Sequence, residues 1–318
     1  MSTPAKPAAA AWTRQRERSN LWVLRLMRTI ALTTGRRVAR GLLHPITLYF
    51  LLTGGEVRRQ SARYLERALG RPARLRDVYR HIHCFAGTVL DRVYFLQERF
   101  DEFDWRVTGA EHLDTPLARG QGVLLVGAHL GSFEALRALG QERGLRVAVV
   151  MYEDNARLIN ETLAAIAPKA SLHVIGLGRL NAMLSLRQWL DDGGIAGMLA
   201  DRTLASQSER ARTSWLPFLG APARFSDGPF RLAALLRRPV VFMAGLYHGG
   251  RNYELRFIEL DDFSQRPAGS GAELDARIRE LMQRYVAILE MLCREAPYNW
   301  FNFYDFWADD APPSAGGT

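Results

Sequence analysis

Cysteine is scarce in this chain. Cys84 and Cys293 are the only two in 318 residues. They supply neither a disulfide framework nor a zinc spacing, so a reducing compartment is expected. Lysine is equally rare, with Lys6 and Lys169 alone among 42 basic residues. An arginine bias of this kind follows from a GC-rich genome as readily as from nucleic-acid binding. No RNA- or DNA-binding motif accompanies it, and no nucleic-acid partner is expected. A Walker loop, a GxGxxG fingerprint, a GxSxG elbow and an HExxH pair are all missing. Nucleotide, serine-hydrolase and zinc chemistry therefore lose most of their support, and neither a metal nor a cofactor is expected. No apolar run reaches the roughly 20 residues of a transmembrane helix, and no small-residue cleavage site follows the basic start.

What is present is a large apolar fraction, 48%, enough for a substantial core. The net charge of +9 is unevenly placed: residues 1–40 carry nine basic side chains and one acid, Glu17. In residues 20–52 apolar stretches alternate with Arg25, Arg28, Arg36, Arg37 and Arg40. Basic, aromatic-containing apolar helices suit the surface of an anionic membrane. The other reading is a helix pair packed on the body with its arginines in water. The organisation expected is a disordered 1–11, a basic apolar membrane-associated segment 12–55, an α/β domain 56–307 with a helical lead-in over 56–100, and a loose tail 308–318.

Within the domain, the second lead-in helix carries Val78, Ile82, Phe85, Val89, Val93 and Leu96 at helical spacing, a stripe expected to face the core. His81, His83 and Cys84 read as ordinary helix residues. Apolar runs at 123–126, 146–151, 172–175, 195–199, 240–246 and 253–258 predict strands. Helical patterns near 132–142, 154–167, 179–191 and 227–237 lie between them, and a last one covers 271–294. This alternation predicts an α/β fold: a largely parallel or mixed central sheet flanked by helices, with membrane-associated helices at the N-terminus.

The stretch GVLLVGAHLGSFEAL at 122–136 is the most plausible seat of chemistry. His129 lies between a strand and a helix whose N-cap falls near Ser132, a placement suited to a general base. On one continuous helix His129 and Glu134 would point roughly 140° apart, at about 100° per residue. With Gly131 loosening the turn, the Glu134 carboxylate can swing back to hold one ring nitrogen. The same pattern also fits a helix-capping loop with a satisfied surface histidine. Asp201 and Arg202 follow the strand-like IAGMLA, at another strand exit, where residues of a parallel sheet converge. An exposed loop salt bridge is the alternative there. Arg179 opens a helix and is a candidate for oxyanion binding or for plain solvent exposure.

Two apolar segments stand apart. Trp215-Leu216-Pro217-Phe218-Leu219-Gly220 reads as the wall of an acyl site or as a buried strand. Seven of the eleven residues at 297–307 are aromatic, among them Trp300 and Phe303. They suit a core, an interfacial patch or a ligand wall.

Taken in order, these features resemble the bacterial lipid A late acyltransferases and their lysophospholipid-acyltransferase-like relatives, over about residues 15–307. The features are the basic apolar start, His129-x4-Glu134 after a strand, Asp201 with Pro217-Phe218-Leu219-Gly220 beyond it, and Pro297-Tyr298-Asn299-Trp300. The resemblance implies a catalytic His129–Glu134 pair of base and orienter. It also implies an acyl thioester donor, acyl carrier protein or acyl-CoA, a lipid or glycolipid hydroxyl as acceptor, and a place on the cytoplasmic face of the bacterial inner membrane. Arg179, Asp201 and Arg202 are the oxyanion or substrate candidates; Trp215, Phe218, Trp300 and Phe303 are the wall candidates. Asn299 stands where the lipid A branch usually has Gln, and Asn302, Tyr304 and Asp305 stand where it has basic residues. That departure predicts a less phosphorylated acceptor. The start ERSNLWVLRLMRTIALTTGRRVAR and the ending YNWFNFYDFW look more like relatives associated with aryl-polyene-type lipid pigments. Thioester hydrolysis and a catalytically inert membrane-surface scaffold are the alternative functions.

Overall fold

Short runs rich in valine, leucine and alanine build the centre of the molecule. The computed structural model describes residues 28–152, 173–177, 181–202, 213–265 and 269–307. Arg179, the helix expected at 154–167, the start of the basic segment and both tails lie outside the described residues. Nine strands are described: β1 (Asp104–Thr108), β2 (Val123–Gly131), β3 (Val147–Tyr152), β4 (His173–Leu177), β5 (Ile195–Leu199), β6 (Thr213–Phe218), β7 (Ala221–Ser226), β8 (Pro239–Tyr247) and β9 (Asn252–Asp262). Seven of them form one sheet in the order β1-β9-β8-β2-β5-β3-β4. Every neighbouring pair is parallel except β8 with β9, which is antiparallel. The expected α/β architecture is present, and the sheet is mixed.

The sheet is covered on both faces, which is why its central strands read as unbroken apolar runs rather than alternating ones. Leu124, Val126, Phe242 and Ala244 point into one core, with Tyr285 and Leu289 of the long helix Gly271–Glu295. Val123, Leu125, Val241 and Met243 point into the other, with Val93 and Tyr94. Residues 213–226, which allowed a wall or a buried strand, form a separate two-stranded hairpin of β6 and β7. Its tight turn places Leu219 and Gly220 at φ 50° and 80°. The Leu219 N–H donates to Glu290 Oε2 of the long helix at 2.6 Å, which docks the turn.

The lead-in is helical. Described here are α1 (Arg36–Thr53), α2 (Gly55–Leu69) and α3 (Leu75–Phe95), preceded by helical residues 28–34. Not all of the α3 stripe faces the core. Phe85 and Val89 are exposed, with the Phe85 ring resting at the edge of Phe301 and Phe303. The arginines of α1 also divide. Arg36 is buried and makes a two-pronged ion pair with Asp91 of α3, with both N···O distances 2.8 Å. Arg40 joins the same carboxylate at 3.3 Å, and the Tyr253 hydroxyl donates to it at 3.0 Å. These two cations bolt α1 to the body. The outer side of α1 exposes Val38, Leu42, Leu48, Tyr49, Phe50 and Leu52. No helix among the described residues is long and apolar enough to cross a membrane.

Candidate active site

β2 carries His129 at its carboxyl end, and the strand is irregular there. Gly127 aligns with Met243 of β8, but Gly131 aligns with Gly245, so four steps on one strand match two on the other. The surplus forms a bulge across Ala128, His129 and Leu130, of the kind that re-aims side chains beside functional sites. Ala128 and Leu130 turn inward and the His129 ring is about three-tenths exposed. Gly131 closes the bulge at φ 71°, and a Cβ there would lie 1.9 Å from the Gly245 carbonyl oxygen. Glycine is required on both counts. The helix Phe133–Glu142 follows directly, anchored by the Ser132 N–H on the Gly245 carbonyl at 2.8 Å.

β5 is the parallel neighbour of β2, so the two strands end on the same edge of the sheet. Asp201 follows β5 and reaches the His129 ring. His129 Nδ1 lies 2.8 Å from Asp201 Oδ1, and the His129 backbone N–H donates to Oδ2 at 3.0 Å. From this edge the chain leaves β2 toward β3 on one side and leaves β5 toward β8 on the other. Open α/β sheets hold their ligands at such a switch point, outside the carboxyl ends of the strands.

Asp201 is fully buried. Burial alone would raise its pKa, but the charge and hydrogen bonds of His129, with the nearby Arg202 guanidinium, outweigh it and hold the carboxyl well below its ordinary range. The carboxylate also accepts the Trp300 indole N–H and the Asn302 side-chain N–H on Oδ2, each at 3.0 Å. A carboxylate so supplied stays ionised and accepts the Nδ1 proton of His129. The opposite nitrogen, Nε2, is then the basic one.

In the structure it is Asp201, and not Glu134 as expected, that is hydrogen-bonded to the His129 ring. Glu134 lies on the first turn of the helix, where it faces α3. Its Oε1 is 2.9 Å from Arg92 Nε, and its Oε2 accepts the Ser132 hydroxyl at 3.4 Å. Arg202 is brought to the site from below: its Nε donates to Asn302 Oδ1 at 2.7 Å and Nη2 to the Phe301 carbonyl at 3.0 Å. Its guanidinium also sits 5.5 Å from the Tyr304 ring centre.

The four wall candidates fall at different depths. Phe218 and Trp300 are fully buried against each other, with ring centres 5.3 Å apart. Phe303 packs between His81 and Phe85, at 4.7 and 5.3 Å. Trp300 reaches the core because residues 299–301 turn inward alongside β2, while Phe303 stays partly buried against it. Gly131 N–H donates to the Asn299 carbonyl and Phe301 N–H to the His129 carbonyl, both at 2.7 Å. Trp215 stays half-buried in the hairpin, under Arg224. Asn299 is buried and grips both backbone groups of Tyr247 with its amide, at 2.8 and 3.1 Å. Asn302 is buried in the same segment, whereas Tyr304 is exposed.

Sequence reasoning did not find Arg92 or the two side-chain donors to Asp201. Arg92 carried no local signal. The pattern marks Trp300 for its ring, but its indole N–H is what reaches Asp201.

A bulged strand presenting a histidine to a buried carboxylate, at the carboxyl edge of a mostly parallel sheet, defines an α/β protein whose candidate site is a histidine–carboxylate pair. The profile of the bacterial lipid A biosynthesis acyltransferases matches residues 18–308, and the chain belongs to that family. Membership supports acyltransferase activity of the lipid A type. A search of curated protein sequences gave no match.

Proposed function

We propose that this protein moves a fatty acyl group from an acyl thioester, carried on acyl carrier protein or coenzyme A, to a hydroxyl of a lipid or glycolipid acceptor. The observation that carries the reading is the His129–Asp201 pair, with Nδ1 committed to the carboxylate and Nε2 left as the base. Nε2 takes the proton of the acceptor hydroxyl, and Asp201 stabilises the imidazolium that forms. The alkoxide attacks the thioester carbonyl, the C–O bond forms and the C–S bond breaks. The departing thiolate takes the proton back from Nε2. The Ser132 N–H is spent on Gly245, so the oxyanion falls to the N–H groups in the first turn of Phe133–Glu142. Glu134 serves by holding Arg92 beside that turn.

The apolar outer side of α1 suits a lipid surface, and the basic start adds attraction to anionic headgroups. This favours the cytoplasmic face of the bacterial inner membrane and lateral entry of the acceptor. The test is transfer from labelled acyl carrier protein to a panel of lipid acceptors, including polyene-type hydroxyl lipids, followed by mass spectrometry. An ester product that disappears in His129→Ala supports the proposal. Free fatty acid as the sole product points to hydrolysis, and full activity in His129→Ala sinks both.

A further inference from the structure

Asp201 is held more firmly than a histidine partner needs for charge alone. A carboxylate turns readily about its last side-chain torsion, which is broad and two-fold. Here Oδ2 accepts three N–H groups, from the His129 backbone, Trp300 Nε1 and Asn302 Nδ2, all at 3.0 Å. Only Oδ1 is left for the ring. The donors cannot reverse. An indole N–H only donates. The Asn302 amide has two possible orientations, but Arg202 Nε, also a pure donor, sits 2.7 Å from Asn302 Oδ1 and turns the NH2 toward Asp201. The backbone behind them is fixed too, since His81 Nε2 donates to the Trp300 carbonyl at 2.8 Å.

We propose that Trp300 and Asn302 are positioning residues that lock the Asp201 carboxylate in one rotation, with Arg202 setting the Asn302 amide, so that the neutral His129 ring carries its proton on Nδ1 and keeps Nε2 open. The inference rests on His129 being the base. Trp300 and Asn302 are 0% and 1% exposed, so neither meets a substrate directly. The other ionisable groups facing Asp201 leave the assignment intact. Arg202 favours its charge. Tyr285 and Cys293 of the long helix, and Tyr304, are raised above their ordinary values by burial and stay neutral. Glu134 and Arg92, near the other side of the bulge, pair with each other.

The test uses full-length protein labelled with ring-15N histidine, with the His129 signals identified from His129→Gln. Nitrogen shifts report the tautomer, and turnover is read with hexadecanoyl-loaded acyl carrier protein and host lipid extract. Wild type should hold the neutral ring as Nδ1–H. Asn302→Leu and Trp300→Phe should give a mixture of Nδ1–H and Nε2–H. Their kcat should fall roughly tenfold or more, with KM within about twofold. Arg202→Leu should behave likewise, and Arg202→Lys, which can still donate to the amide oxygen, should recover part of the loss. If Trp300→Phe fails to fold, the Asn302 and Arg202 variants carry the test. Folded variants that keep the wild-type tautomer would overturn the proposal. So would a raised KM at unchanged kcat, the mark of a substrate wall. A tautomer change in a protein whose wild type transfers nothing would support the lock and overturn the acyl-transfer reading, so the two failures are distinguishable.

Discussion

His81 should make this protein lose stability well before its carboxylates do as the pH falls. The ring is fully buried between the lead-in and the C-terminal segment. Its Nε2–H donates to the Trp300 carbonyl and its Nδ1 accepts the Ser61 hydroxyl, both at 2.8 Å, so the neutral form is fully satisfied. Burial pushes its pKa down from 6.5 to about 4, against a smaller opposing effect of the Trp300 carbonyl. Above pH 6.5 the ring is neutral whether the chain is folded or not, and its contribution is complete. Between 6.5 and 4 the unfolded chain takes up a proton that the folded chain refuses, so stability drops as the pH falls. The slope from this one group approaches 1.4 kcal/mol per pH unit, and the whole interval is worth roughly 3 kcal/mol. His83 is depressed for the same reason and adds in the same direction. Asp201 and Asp77 lose their contributions only at lower pH, because both are held below the ordinary carboxylate range. The assay is urea unfolding at half-unit steps from pH 7.5 to 4.5, compared with His81→Gln. The variant should be less stable at pH 7.5 and its curve flatter by about one proton. An equally steep curve in a folded variant, or a directly titrated His81 above 6, would refute the reasoning.

Three further outcomes follow from the geometry. Asp201→Asn should place its amide oxygen among the three donors and its NH2 against His129 Nδ1, forcing the proton onto Nε2. By analogy with other wrong-tautomer variants, transfer should fall by about 10³–10⁴, and Tm should fall too, because the ionised carboxylate contributes to stability at neutral pH. Glu134→Gln, which alters the contacts to Arg92 and the Ser132 hydroxyl but none to His129, should lose far less, and equal losses in steady-state kinetics would contradict the pairing. Replacing Leu48 and Leu52 with glutamate should weaken flotation with anionic vesicles without unfolding α1, since both side chains are exposed. Unchanged flotation would remove α1 from the membrane contact.

Most of the sheet was legible because its strands are buried on both faces and read as plain apolar runs. β1 was not, since Asp104-Trp105-Arg106-Val107-Thr108 is a largely exposed edge strand with neither a run nor a clean alternation. His129 stood out through its strand-and-glycine setting. Its partner did not, because Asp201 lies 72 residues away and becomes a neighbour only when β5 inserts between β2 and β3. Local spacing offered Glu134 instead, and local spacing cannot see strand order. The aromatic ending was ambiguous in the same way. Composition registers seven rings but not which way a segment turns, and the backbone pairing of 299–301 with 129–131 decided it.

That pairing also orders events in the life of the chain. Residues 299–302 supply the hydrogen bonds that complete the site, and they are made long after His129 and Asp201. A growing chain on the ribosome would carry the base and its carboxylate without the donors that align them. Competence would come only when this late segment folds back beside β2. The same residues also close the core, since Trp300 is fully buried against Tyr64, Phe218 and Phe306, so packing and the hydrogen bonds around Asp201 are completed by one late segment.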